Sequence, residues 1–134
     1  MQSGLYIVGT PIGNLSDFSP RAIDVLQNVD LNAAEDTRVF GKLASHFDIK
    51  TKRISCHEHN ERDVIPELIE KIQSGMAIAC VSDAGMPAVS DPGFRLVRAA
   101  RTANVPVFIV PGPVAAISAL VLSGFPTDRF TFCG

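Results

Sequence analysis

Five short runs of strand-forming character punctuate the chain: LYIV (5–8), VDLNAAE (29–35), KRISCH (52–57), MAIACVS (76–82) and VPVFIVP (105–111). Segments of helical period separate them. This alternation builds βαβ units, in which a parallel sheet is covered by helices on both faces. The second run is the weakest, because Asn32 and the alanines are poor strand formers. A chain of 134 residues with 46% hydrophobic content can bury one core. The expectation is a single α/β unit, a mainly parallel sheet of about five strands with helices on both faces.

The helices announce themselves by caps and spacing. Ser19 precedes Pro20, which suits a helix start. TRVFGKLASHF (37–47) carries Val39, Phe40, Leu43, Ala44 and Phe47 at amphipathic spacing. ERDVIPELIEKIQSG (61–75) aligns Val64, Ile65, Leu68, Ile69 and Ile72, with Gly75 as its stop and Pro66 expected in its first turn. DPGFRLVRAARTANV (91–105) turns Phe94, Leu96, Val97 and Ala100 inward and Arg95, Arg98 and Arg101 outward. PVAAISALVLSG (113–124) is so apolar that burial on most sides is expected. RFTFCG (129–134) reads as the start of a sixth strand, which suggests a piece of a longer protein.

Charge narrows the function classes. Twelve basic and fourteen acidic residues give a net charge of −2, and the pI is about 5.8, far from a strongly basic nucleic-acid binder. Lys50, Lys52 and Arg53 form the nearest approach to a basic cluster and read as a solvated turn. Phe18, Phe40 and Phe47 read as core rather than as stacking platforms. Cys56, Cys80 and Cys133 are odd in number and lack metal-type spacing, which points to a reducing compartment. No run approaches the roughly 20 apolar residues of a membrane span, so a cytoplasmic protein is expected.

In an open parallel sheet, ligands bind beyond the carboxyl ends of the strands. The segments following the five runs are GTPIGN, EDTR, HEHNE, SDAGMPAVSDPG and PGPV, and all are rich in turn formers or charge. One such cluster is ordinary turn chemistry; five on one edge indicate a site. Neither a G-x-G-x-x-G fingerprint nor a G-x-x-x-x-G-K-[ST] loop is present, which disfavours a dinucleotide or triphosphate cradle. Glycine-proline loops instead offer main-chain donors and acceptors in rigid shapes. Asp83 suits pairing with an amine or a sulfonium.

GTPIGNLSD, AEDTR, HEHNE, VSDAGMPAVSDPG and VPGPVAA, in that order, resemble the tetrapyrrole methylase superfamily of S-adenosylmethionine-dependent methyltransferases. Within it they look like the branch that methylates a cytidine 2'-hydroxyl in small-subunit ribosomal RNA. The resemblance implies two α/β domains with the cofactor in the cleft between them, this chain being the N-terminal one. By resemblance, Asp83, Gly85, Met86 and Pro87 border the methionine part of the cofactor, and Ile12, Gly13, Val114 and Ala115 close the pocket through main-chain contacts. Met86 replaces a common Thr, and Val114 a common Ser or other small residue.

The resemblance further implies a homodimer with ribosomal RNA as partner, and neither a membrane nor DNA. Methyl transfer to a ribose hydroxyl needs alignment and a base, for which Glu35, Asp36, His57, Glu58 and His59 are candidates. Arg38 either holds a phosphate or orients the nucleophile, or clamps Glu35 or Asp36 at a helix start. Asn14 and Asn60 contact ribose and base edges or cap turns. The H-x-H pair lacks a third metal ligand. Three rivals remain: a small-molecule methylase of the same superfamily, a non-catalytic binding domain and, weakest for want of a phosphate fingerprint, a flavodoxin-like phosphate or nucleotide binder.

Overall fold

In the computed structural model, which describes residues 1–89 and 93–134, five strands form one parallel sheet in the order β3-β2-β4-β1-β5. They are β1 (Gly4–Val8), β2 (Leu31–Ala34), β3 (Arg53–Ser55), β4 (Ala77–Val81) and β5 (Val107–Val110). The helices between them are α1 (Pro20–Asn28), α2 (Thr37–His46), α3 (Glu61–Gln73) and α4 (Phe94–Thr102), and α5 (Ala115–Ser123) follows β5. Both central strands are buried along their whole length. That is why LYIV and AIACV read as unbroken apolar runs.

Strand pleating sorts those runs onto two faces. Tyr6, Val8, Ala79 and Val81 face α1 and α2, where Ala22, Val25, Leu26, Phe40 and Ala44 are buried. Leu5, Ile7, Ile78 and Cys80 face α3 and α4, where Leu68, Ile72, Leu96 and Ala100 are buried. Each fully buried leucine contributes roughly 1.5–3 kcal/mol of transfer free energy. A side-chain cap fixes the start of α1: the Ala22 N–H donates to Ser19 Oγ at 3.0 Å, with Pro20 at the first helical position.

The chain leaves β1 through α1 toward β2, and leaves β4 through α4 toward β5, on opposite faces of the sheet. Those two connections cross; the connection that runs away from the one leaving β4 is that from β2 through α2 to β3, so the crevice between diverging connections lies at the carboxyl ends of β2 and β4.

Several expectations are corrected. Helix α5 is not buried: Ile117, Val121 and Leu122 are 42%, 68% and 86% exposed. It contributes to neither apolar core, because both sheet faces are already covered by the four preceding helices. Residues 129–134 form no strand and are exposed, with Phe130 and Phe132 in solvent. Phe94 and Val39 face outward from α4 and α2. Pro66 stands in the second turn of α3, where the missing bond to the Arg62 carbonyl falls on the solvent side. Ser90, Asp91 and Pro92, expected to end the long loop and open α4, lie outside the described residues.

Candidate functional site

Three loops at the carboxyl edge are tied to one another through their backbones. Thr10, just beyond β1, and Gly85, beyond β4, form an antiparallel bridge, with the Thr10 N–H donating to the Gly85 carbonyl at 3.0 Å and the Gly85 N–H returning to the Thr10 carbonyl at 3.1 Å. The same Gly85 carbonyl accepts from the Ser82 hydroxyl at 3.4 Å. Gly9 and Gly112 bring the first and fifth loops into direct contact: a Cβ on Gly112 would stand 2.7 Å from the Gly9 Cα. Gly85 holds φ 78°, beside Ile12 and the Pro113 carbonyl. Only glycine adopts that conformation without strain.

The second half of the edge is built from side chains. Glu35, Asp36, Thr37, Arg38, Ser55, His57 and Asp83 line a concavity of about 410 Å³ at the ends of β2, β3 and β4. Glu35 Oε2 accepts from the Asp83 N–H at 3.3 Å, which joins the second loop to the fourth. Asp36 caps α2, accepting from the Arg38 N–H at 2.8 Å, and its second oxygen meets the guanidinium at 3.1 Å. The Arg38 side chain thereby holds the Asp36 carboxyl below the usual carboxylate range.

In the third loop the His59 N–H donates to His57 Nδ1 at 3.1 Å, so the proton of a neutral His57 ring sits on Nε2. Asn60 accepts from the His57 N–H at 2.7 Å and donates to the Ser55 carbonyl at 2.9 Å.

Most residues expected at the site lie along this edge. Ile12 and Gly13 are exposed on the first loop, with open space where a Gly13 Cβ would stand. Met86 is half-buried, its sulfur against the Gly9 position, and Pro87 is buried behind it. Val114 caps α5 without a side-chain hydrogen bond, and Ala115 follows it in solvent. Asn14 accepts from the Ser16 N–H at 3.0 Å as the cap of a 3₁₀ turn, and Glu58 and His59 are exposed. His59 does not line the concavity.

Sequence reasoning missed Thr10, Ser55 and the Gly9–Gly112 contact. A polar Thr10 between Gly9 and Pro11 was the available signal for the first; nothing in the sequence pairs Gly9 with Gly112. Three carboxylates around one concavity, beside loops rich in main-chain donors, fit a cationic ligand such as a sulfonium. Among the described residues, no three His, Cys, Asp or Glu side chains are grouped to hold a metal, and no helix is long and apolar enough to cross a membrane.

Known proteins resemble this chain over nearly its whole length. The Ribosomal RNA small subunit methyltransferase I of Synechocystis sp. is 56% identical over 130 residues, covering 97% of this chain and 47% of that protein. The Escherichia coli O157:H7 protein of the same name is 53% identical, covering 99% of this chain and 46% of its own length. The chain thus spans about half the length of these relatives. Among solved structures, uroporphyrin-III-C-methyltransferase from Thermus thermophilus superposes with a TM-score of 0.71 at 25% identity, over 94% of this chain and 55% of that one. Diphthine synthase superposes with a TM-score of 0.74 at 18% identity, over 95% of this chain and 51% of that one, a likeness of fold. The family model of Tetrapyrrole (Corrin/Porphyrin) Methylases matches residues 4–132, and the chain belongs to that family.

Proposed function

We propose that this chain is the N-terminal domain of an S-adenosylmethionine-dependent methyltransferase that modifies the 2'-hydroxyl of a cytidine in small-subunit ribosomal RNA. The observation that carries the reading is the meeting, on one edge, of a backbone-built cradle (Thr10–Gly85, Gly9–Gly112) with an acidic concavity. Relatives above 50% identity favour the ribosomal RNA branch over a small-molecule acceptor, since the uroporphyrin enzyme is only 25% identical.

When bound, the cofactor supplies a methyl group on a sulfonium, transferred by in-line displacement to the ribose oxygen. The Asp83 carboxylate offsets the positive charge of the ligand. Gly85, its own peptide groups held by Thr10, sets the main-chain groups of Met86 and Pro87 against the ligand, and with Ile12 and Gly13 opposite and Val114 and Ala115 at the far wall they fix its orientation, an alignment effect worth roughly 7–11 kcal/mol. Glu35 takes the ribose proton. Its side chain is half-buried and aimed by the Asp83 N–H, whereas Asp36 is occupied by Arg38 and His57 presents Nε2–H rather than a lone pair. His57 instead donates toward the acceptor. Arg38 and Asn60 are positioning residues, holding the α2 start and the third loop, and Asn14 shapes the first.

The exposed apolar surface of α5, with Phe125, Phe130 and Phe132 beside it in sequence, is covered by the C-terminal domain. The resemblance supplies the rest of the proposal, a cytoplasmic homodimer. The test is methyl transfer to small ribosomal subunits by the complete protein, which must proceed at a 2'-hydroxyl. Transfer to a tetrapyrrole instead, or to no acceptor, overturns the assignment.

A further inference from the structure

The face of α2 and β3 carries a charge that the whole chain does not. Between residues 37 and 53 there are five basic residues and one acidic residue, while the remainder holds seven basic and thirteen acidic, in a chain of net charge −2. The acidic one, Asp48, is itself paired with Lys50 at 3.5 Å. The fold gathers this excess around two adjoining concavities of about 560 and 610 Å³ that share Gly41, Ser45 and Arg53.

Gly41 is what lets them join. Three guanidinium atoms of Arg53 lie 3.6, 3.8 and 3.9 Å from the point where a Gly41 Cβ would stand, so the guanidinium plate rests face-on against α2. Lys42 lines the same groove from the helix, and Lys50 and Lys52 from the turn before β3. At its other end the groove runs into the acidic concavity, because Thr37 and Arg38 line both.

We propose that this groove is an electrostatic track for the phosphodiester backbone of RNA, carrying the strand that enters or leaves the acceptor pocket. The inference rests on the reading above that the acceptor is RNA. Lysine and arginine with Ser45 offer donors to phosphate oxygens, and the groove lining has no Phe, Tyr or Trp on which a base could stack, its one ring, His46, being packed at 4.8 Å against Phe47. Contact is therefore with the backbone and independent of sequence. An acidic protein would meet the same charges, but only a nucleic-acid strand must also pass through the adjoining pocket.

The test is fluorescence anisotropy of a labelled single-stranded RNA oligonucleotide of mixed sequence with the purified protein, across about 50 to 200 mM salt. Lys42→Glu with Arg53→Glu is expected to weaken binding about tenfold or more and to flatten the log–log salt slope by roughly 0.7 for each phosphate that is no longer neutralised. Gly41→Leu, which fills the groove without changing charge, weakens binding as well. Arg98→Glu with Arg101→Glu, the same charge change on α4, leaves affinity and slope near those of the parent.

Parent-like affinity and slope in the Lys42/Arg53 variant, or an equal loss in the α4 variant, overturns the proposal; so does competition by polyglutamate as effective as competition by RNA. Calorimetry with S-adenosylmethionine on the same proteins separates the two readings. Groove-dependent RNA binding without cofactor binding removes the methyltransferase reading and leaves the groove, and cofactor binding without groove-dependent RNA binding does the reverse.

Discussion

The two halves of the carboxyl edge solve the problem of ligand binding in different materials. The loops after β1, β4 and β5 meet through peptide groups and glycines, Thr10 on Gly85 and Gly9 on Gly112, and their precision is a matter of shape. The loop after β2 meets the fourth loop through an ionisable side chain, Glu35 on the Asp83 N–H, and is braced within itself by Arg38 on Asp36. A shape-built half is intolerant of one added methyl group and indifferent to pH. A charge-built half tolerates changes in volume and responds to charge.

The largest effect expected on this division lies in the charged half. Glu35→Gln in the complete protein keeps the size of the side chain and is expected to slow methyl transfer about 10²- to 10⁴-fold, with an unchanged unfolding midpoint. An unaltered rate would move the proton acceptor elsewhere. Next is Gly112→Ala, whose Cβ would press on the Gly9 backbone at 2.7 Å; a loss of about 1–3 kcal/mol is expected in urea unfolding. Gly85→Ala, at φ 78° and 3.3 Å from Ile12, is expected to cost about 1–2 kcal/mol. If both were neutral, the three loops would not be joined as described.

Smaller effects sharpen the contrast through pH. The Asp36 carboxyl is held low by Arg38, so its contribution to stability is present above the ordinary carboxylate range and is lost as pH falls through the depressed value. Arg38→Gln returns the carboxyl toward its ordinary value in an NMR titration and leaves the Thr10–Gly85 amides unshifted. Burial, aided by the Glu61 charge, pushes the Cys56 thiol up to about 11. Its native form keeps the proton after the unfolded chain has lost it, so stability declines as pH rises from about 9 toward 11. Near pH 8, alkylation should mark exposed Cys133 readily and Cys56 only on unfolding.

Period and punctuation made most of the sheet legible. LYIV and AIACV were legible as strands, being short apolar runs bounded by turn formers, and their full burial inside the sheet accounts for the unbroken apolar character. The edge on which GTPIG, SDAGMP and PGP gather followed from strand direction alone. Contacts between distant glycines were not legible, since a Cβ that must be absent leaves no periodic trace.

Helix α5 misled for a related reason. Composition reports how much apolar surface a helix offers, and says nothing of what is present to cover it. The basic groove was hidden because Lys50, Lys52 and Arg53 looked like an isolated turn until the fold laid Arg38 and Lys42 beside them.

The central claim is that the backbone-built half and Asp83 together receive a sulfonium cofactor. Calorimetric titration of S-adenosylmethionine into this chain and into the complete protein, with and without Asp83→Ala, tests it most directly. The account predicts binding by the complete protein, weaker binding by this chain alone, and a further loss on Asp83→Ala in both. Absence of heat from the complete protein, or full affinity in its Asp83→Ala variant, would contradict it.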